Sequence, residues 1–169
     1  MDKAQARITF IDTMARFTAY TSKHLPDDVR TKLKELGDQE DSEMAKIIYT
    51  AMFDDLTMAD ALSRPVCQDT GIIQYFVQVG TQFPLIDEIE DCLREAVKKA
   101  TALAPLRPNA VEVFDEKNTG NNVGVRIPWI EWELMPNRDD VLIYCYLAGG
   151  GSSLPGAAKV LMPLEGYEG

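Results

Sequence analysis

Arg64-Pro65-Val66-Cys67-Gln68-Asp69-Thr70-Gly71 runs straight into Ile72-Ile73-Gln74-Tyr75-Phe76-Val77-Gln78-Val79-Gly80, and this is where the chain changes character. Pro65 stops the helical pattern that precedes it. Ile73, Tyr75, Val77 and Val79 then alternate with Gln74, Phe76 and Gln78, the period-two signature of a strand with one apolar face, which Gly80 ends. A thiol, an amide, a carboxylate and a hydroxyl therefore stand side by side at the mouth of a buried strand. Polar groups in such a place are costly unless they find partners, so they cap the strand's entry or face a ligand.

Upstream, the residues read as helices. Ile8, Ile11, Ala15, Thr18 and Ala19 recur at helical spacing; Pro26-Asp27-Asp28, with Lys32, Lys34 and Gly37 after them, has start and stop signals in order. Ser42 and Glu43 open a third helix whose apolar stripe is Met44, Ala45, Ile47, Ile48, Ala51 and Met52, running towards Leu62. Downstream of Gly80, the stripe Leu85, Ile89, Cys92, Leu93, Ala96, Val97 and Ala100 predicts a helix from Pro84 to about Leu103, acidic at its start and basic near its end. A short strand is expected at Ala110 to Phe114, then the turn-rich Asn118 to Asn122. Ile130, Trp132 and Leu134 alternate with Trp129, Glu131 and Glu133, the loop Met135 to Asp140 turns the chain, and Val141 to Leu147 is expected to return as a hairpin partner and a more fully buried strand. The expected fold class is α+β, a helical N-terminal half packed with a mixed, partly antiparallel sheet and one long helix. It forms one domain over 1–169, helical over 1–64 and sheet-containing over 65–169.

Bulk properties narrow the function. The chain has 169 residues, with 17 Lys+Arg against 27 Asp+Glu and a net charge of -10. Such a field repels nucleic acid and anionic membranes, and small diacids remain open as ligands if a few cations converge locally. No segment approaches the ~20 apolar residues that span a bilayer, and no apolar run of signal-peptide length opens the chain. Three cysteines, Cys67, Cys92 and Cys145, fit neither a disulfide framework nor a C-x-x-C zinc site. A cytoplasmic protein with reduced thiols is expected.

Cys92 falls on a helix's apolar stripe and Cys145 shares a strand with Ile143 and Leu147, which marks both as small hydrophobes of a core; Cys67 alone is presented on a loop. His24, the single histidine, rules out most two-histidine metal schemes and catalytic triads built within the chain, and is expected at the surface. Gly149-Gly150-Gly151 lacks the lysine spacing of a P-loop but offers bare backbone N–H groups to a carboxylate, or a flexible turn. Arg107, framed by Pro105 and Pro108, has a guanidinium fork suited to an anion.

Three stretches together carry a family resemblance: RPVCQDTG (64–71), APLRPNAVEVFDEKNTGNNVG (104–124) and LAGGGSSLPGAAKVLMPLEGYEG (147–169). In that order they resemble the N-terminal portion of the iron-sulfur hydro-lyases, the family of class I fumarases and L(+)-tartrate dehydratase alpha subunits, with the last two stretches nearer the tartrate enzymes. The resemblance implies a hydro-lyase that dehydrates a small hydroxy-dicarboxylate, L(+)-tartrate to oxaloacetate or malate to fumarate. It implies a 4Fe-4S cluster with Cys67 as its first ligand and the other cysteine ligands outside these 169 residues. Gln68 and Asp69 would line the substrate, Asp69 as a candidate proton donor to the departing oxygen; Arg107 would clamp one carboxylate and the Gly150 backbone would approach the other end. It also implies a beta subunit or C-terminal domain as partner, an oligomeric assembly, and a chain inactive alone. A non-catalytic remnant with a binding or assembly role is the alternative of a different class.

Overall fold

The computed structural model describes residues 2–153. Three helices come first: α1 (Lys3–Thr21), α2 (Asp27–Gln39) and α3 (Glu43–Leu62). Then follow β1 (Ile72–Gly80), a short 3-10 turn (Ile86–Glu88), α4 (Ile89–Leu103), β2 (Trp129–Met135), β3 (Val141–Ala148) and a final turn of helix, α5 (Gly150–Ser153). The α+β expectation holds. The Leu154–Gly169 part of the third resembling stretch lies outside the described residues.

The three strands form one mixed sheet in the order β2-β1-β3, with β1 parallel to β2 and antiparallel to β3. A parallel neighbour requires a crossover, and α4 provides it. Its stripe works as the periodicity predicts: Ile89, Cys92, Leu93, Ala96, Val97 and Ala100 are all buried. With Ile11, Met14, Ala15 and Ala19 of α1 they cover the face of β1 that carries Ile73, Tyr75, Val77 and Val79. Tyr75 is buried there because its hydroxyl meets Thr18 Oγ1 at 2.5 Å. Ion pairs of Lys99 with Asp12, and of Lys3 and Arg7 with Glu88, tie the middle and the start of α1 to α4 and its lead-in turn.

Five expectations need correction. β2 and β3 are not a hairpin: β1 lies between them. The loop of residues 136–140 crosses the end of β1 instead, where Gly80 N–H donates to Asp140 O and Gln82 N–H to Arg138 O. A Cβ at Gly80 would sit 2.1 Å from Arg138 O, so the crossing needs glycine there. Second, β3 is more buried than β2, as expected, but only half-buried, because its Leu142, Tyr144 and Tyr146 lie on the sheet face that no helix of the described residues covers. Third, the stretch 110–114 forms no strand, only a bridge between Val111 and Asn118. Fourth, the apolar stripe of α3 faces outward, with Met44, Ile47, Ile48 and Met52 exposed and only Leu56 and Ala59 of that helix buried. His24 is half-buried, not superficial: it stacks on Tyr20 and pairs with Asp60 of α3 at 3.2 Å.

Candidate functional site

The polar cluster ahead of β1 sits where three separate segments meet. α3 ends with Ser63 in the left-handed region, and Val66 N–H donates to Ser22 O, so the loop is pinned to the end of α1 before Cys67 begins. Cys67 and Gln68 are exposed, Asp69 is half-buried and Thr70 is buried. The turn is local: Asp69 N–H points to Cys67 Sγ at 3.4 Å, and Gly71 N–H donates to Asp69 Oδ1 at 3.0 Å.

Asp69 then reaches beyond its own loop. Asn109 Nδ2 donates to Oδ1 at 2.7 Å, and the Gly150 N–H donates to Oδ2 at 2.5 Å. One carboxylate thus fastens the loop before β1, the segment after α4 and the glycine turn after β3. Those donors, Gly150 and Gly71 foremost, hold its pKa below the usual carboxylate value against the opposing effect of desolvation; Asn109 and the charge of Arg107 pull the same way. Asp69 is an ionised acceptor here. Thr70 adds a buried hydroxyl that has no hydrogen-bond partner among the described residues, which is unusual in a folded interior.

Of the expected site residues, Cys67, Asp69 and Gly150 come together through direct hydrogen bonds, Arg107 joins them through its field, and Gln68 stands exposed on the same loop. Cys92 is fully buried and Cys145 half-buried in the interior, and burial raises both thiol pKa values, that of Cys145 to about 11. No three His, Cys, Asp or Glu side chains converge as a metal site among the described residues. These residues do not by themselves fit a cluster held by three cysteines; one thiol is presented. Sequence reasoning missed Asn109 and Asn122. Both stand in the second resembling stretch, where their only visible signal is an asparagine-rich run that reads as turn chemistry.

A groove of about 340 Å³ between the end of α1 and β3, lined by Phe17, Tyr20, His24 and Cys145 among others, contains none of the expected site residues. The Asp69 cluster, with its converging charged and donor groups, is the stronger candidate for chemistry.

A family model described as fumarate hydratase (Fumerase) matches residues 11–169. The chain belongs to the fumarate hydratase family. Within it, the chain is 54% identical over 168 residues to the L(+)-tartrate dehydratase subunit alpha of Escherichia coli (strain K12), covering 99% of this chain and 55% of that protein. The same figures hold for the L(+)-tartrate dehydratase subunit alpha of Shigella boydii serotype 4. The chain spans about half the length of these L(+)-tartrate dehydratase alpha subunits. No helix among its described residues is long and apolar enough to cross a membrane.

Proposed function

We propose that this chain forms the Asp69-bearing part of a hydro-lyase that removes water from a small hydroxy-dicarboxylate, converting L(+)-tartrate to oxaloacetate. The observation that carries the reading is the Asp69 carboxylate, fixed by donors from three segments, with the exposed Cys67 beside it and the charge of Arg107 acting on it. Loss of water from tartrate breaks one C–O and one C–H bond and leaves an enol, which tautomerises to the keto acid. Arg107 supplies a fork for one substrate carboxylate, the Gly150 backbone lies at the other end, and Gln68 lines the space between. Asp69 meets the substrate ionised, so it takes up a proton from solvent before donating it to the departing oxygen, and the C–H proton passes to a base outside these 169 residues.

Cys67 is the one presented thiol, and we assign it as the first ligand of a 4Fe-4S cluster whose remaining ligands lie outside these 169 residues. The share of the relatives' length that the chain spans supports this, as does the burial of Cys92 and Cys145. The relatives' designation as an alpha subunit supports a partner subunit or further domain within an oligomer. Three free thiols support a cytoplasmic setting. The description of the matching family favours a second reading, hydration of fumarate to malate by the same site.

The test uses the complete enzyme with its partner, assayed on L-tartrate and on malate. Cys67→Ser is expected to abolish the visible iron-sulfur absorption, while Cys92→Ser and Cys145→Ser retain it. Asp69→Asn is expected to keep the cluster and lose at least ~100-fold in turnover, the range that general acids and bases contribute. A normal iron content in Cys67→Ser would overturn the ligand assignment, and near-normal turnover in Asp69→Asn would remove that residue from the chemistry. Higher kcat/KM on malate than on tartrate would select the second reading.

A further inference from the structure

Asp69 is held by Asn109, and Asn109 is itself held. Its backbone N–H donates to Asn122 Oδ1 at 2.7 Å. Asn122 is 2% exposed and stands at φ +58°, in the left-handed region that asparagine enters more readily than other non-glycine residues. Its Nδ2 donates to Thr101 Oγ1 at 3.2 Å, and the Thr101 hydroxyl donates in turn to Val97 O at 2.8 Å within α4. Both ends of this buried amide are hydrogen-bonded, so removing either partner leaves a polar group unsatisfied in the interior, which is costly. The links run without a break from Val97 and Thr101 in the last turns of α4, through Asn122, to Asn109, which donates both to Asn122 and to one oxygen of the Asp69 carboxylate.

We propose that Asn122 and Asn109 are positioning residues for Asp69, transmitting the fixed geometry of α4 to the carboxylate. Neither acts on a substrate. Asn109 sets the direction of Oδ1, which leaves Oδ2 aimed at the Gly150 N–H, and Asn122 sets where Asn109 stands. The catalytic consequence rests on the role given to Asp69 above; the hydrogen-bond relay does not.

The test reads both separately. In the isotopically labelled 169-residue chain, the amide protons of Gly71 and Gly150 report their bonds to Asp69. Asn122→Gly keeps a backbone that accepts positive φ, and Thr101→Val removes the α4 hydroxyl that anchors Asn122 Nδ2 and the Asn121 carbonyl while leaving the loop's own residues unchanged. Both are expected to shift the Gly71 and Gly150 amide resonances in the direction that Asp69→Asn shifts them, with the methyl signals of Ile73 and Val97 in place as evidence of an intact core. In the complete enzyme both should lower kcat by about 10- to 100-fold, as small misplacements of a reacting group do, with KM nearly constant. Gly71 and Gly150 resonances at their wild-type positions in either folded variant would overturn the relay, and a change confined to KM would overturn its catalytic consequence. Shifted resonances beside an Asp69→Asn enzyme of normal turnover would uphold the relay and refute the catalytic role of Asp69.

Discussion

Gly71 follows Asp69 and Thr70 and lets the glycine turn come close enough for its N–H to reach the carboxylate. It lies at φ +63°, and a Cβ there would fall 1.9 Å from Ala148 O, inside the backbone of β3. Gly71→Ala should therefore destabilise the fold by at least ~2 kcal/mol, the left-handed penalty of ~1–2 kcal/mol plus displacement of a strand end. Urea unfolding checks this, and a midpoint equal to wild type would mean that β3 yields there at no cost. The thiols make a second contrast at the same scale. Cys67 is exposed, whereas burial raises the pKa of Cys92 and of Cys145 and so suppresses their thiolates. Iodoacetamide at pH 8 should label one cysteine in the folded chain and all three after denaturation; mass spectrometry finding Cys92 or Cys145 labelled in the folded chain would contradict the packing described.

Among the elements, α4 and α3 carry similar apolar stripes and meet different fates. Leu93 of α4 is 0% exposed and Ile48 of α3 is 55% exposed. Leu93→Ala is expected to cost about 2–5 kcal/mol, as large-to-small changes in cores do, and Ile48→Ala within about 0.5 kcal/mol, as surface changes do; equal losses would place α3 in the core after all. The contrast shows where sequence reading works. Periodicity reveals that α4 and β1 each have an apolar face, and for these two the faces meet. It does not reveal what covers a face, so α3 reads as a core helix although only Leu56 and Ala59 are buried. Strand partnership is equally non-local: the loop of residues 136–140 has genuine turn chemistry, with Pro136 and a left-handed Asn137, yet it passes over Gly80 and seats β3 on the far side of β1. In the site, Cys67 and Asp69 were legible as polar residues crowded before an apolar strand. Asn109 and Asn122 were not, because a buried amide and a solvated turn asparagine look alike until distant segments are brought together.

At the scale of the whole molecule, the interior resists alkali. Burial holds the Cys145 thiol protonated up to about pH 11, while in the unfolded chain it ionises from its ordinary value of 9.0. Between those values the unfolded state has released a proton that the folded state keeps, so stability falls as pH rises, by up to about 1.4 kcal/mol per pH unit, and this contribution levels off beyond 11. Tyr75, raised by burial, adds to the decline above pH 10. Urea midpoints at pH 8.5, 9.5 and 10.5 should fall less steeply in Cys145→Ala than in wild type; parallel declines would remove Cys145 as a cause. The hydrogen bond from Gly150 to Asp69 spans 81 positions of the sequence. On a ribosome adding roughly 5–20 residues per second, Asp69 waits about 4–16 s for that donor to be made. Because Gly150 arrives directly behind β3, the last strand among the described residues completes this sheet and the hydrogen bonds of the Asp69 carboxylate together, and no nascent chain shorter than this holds that set of bonds.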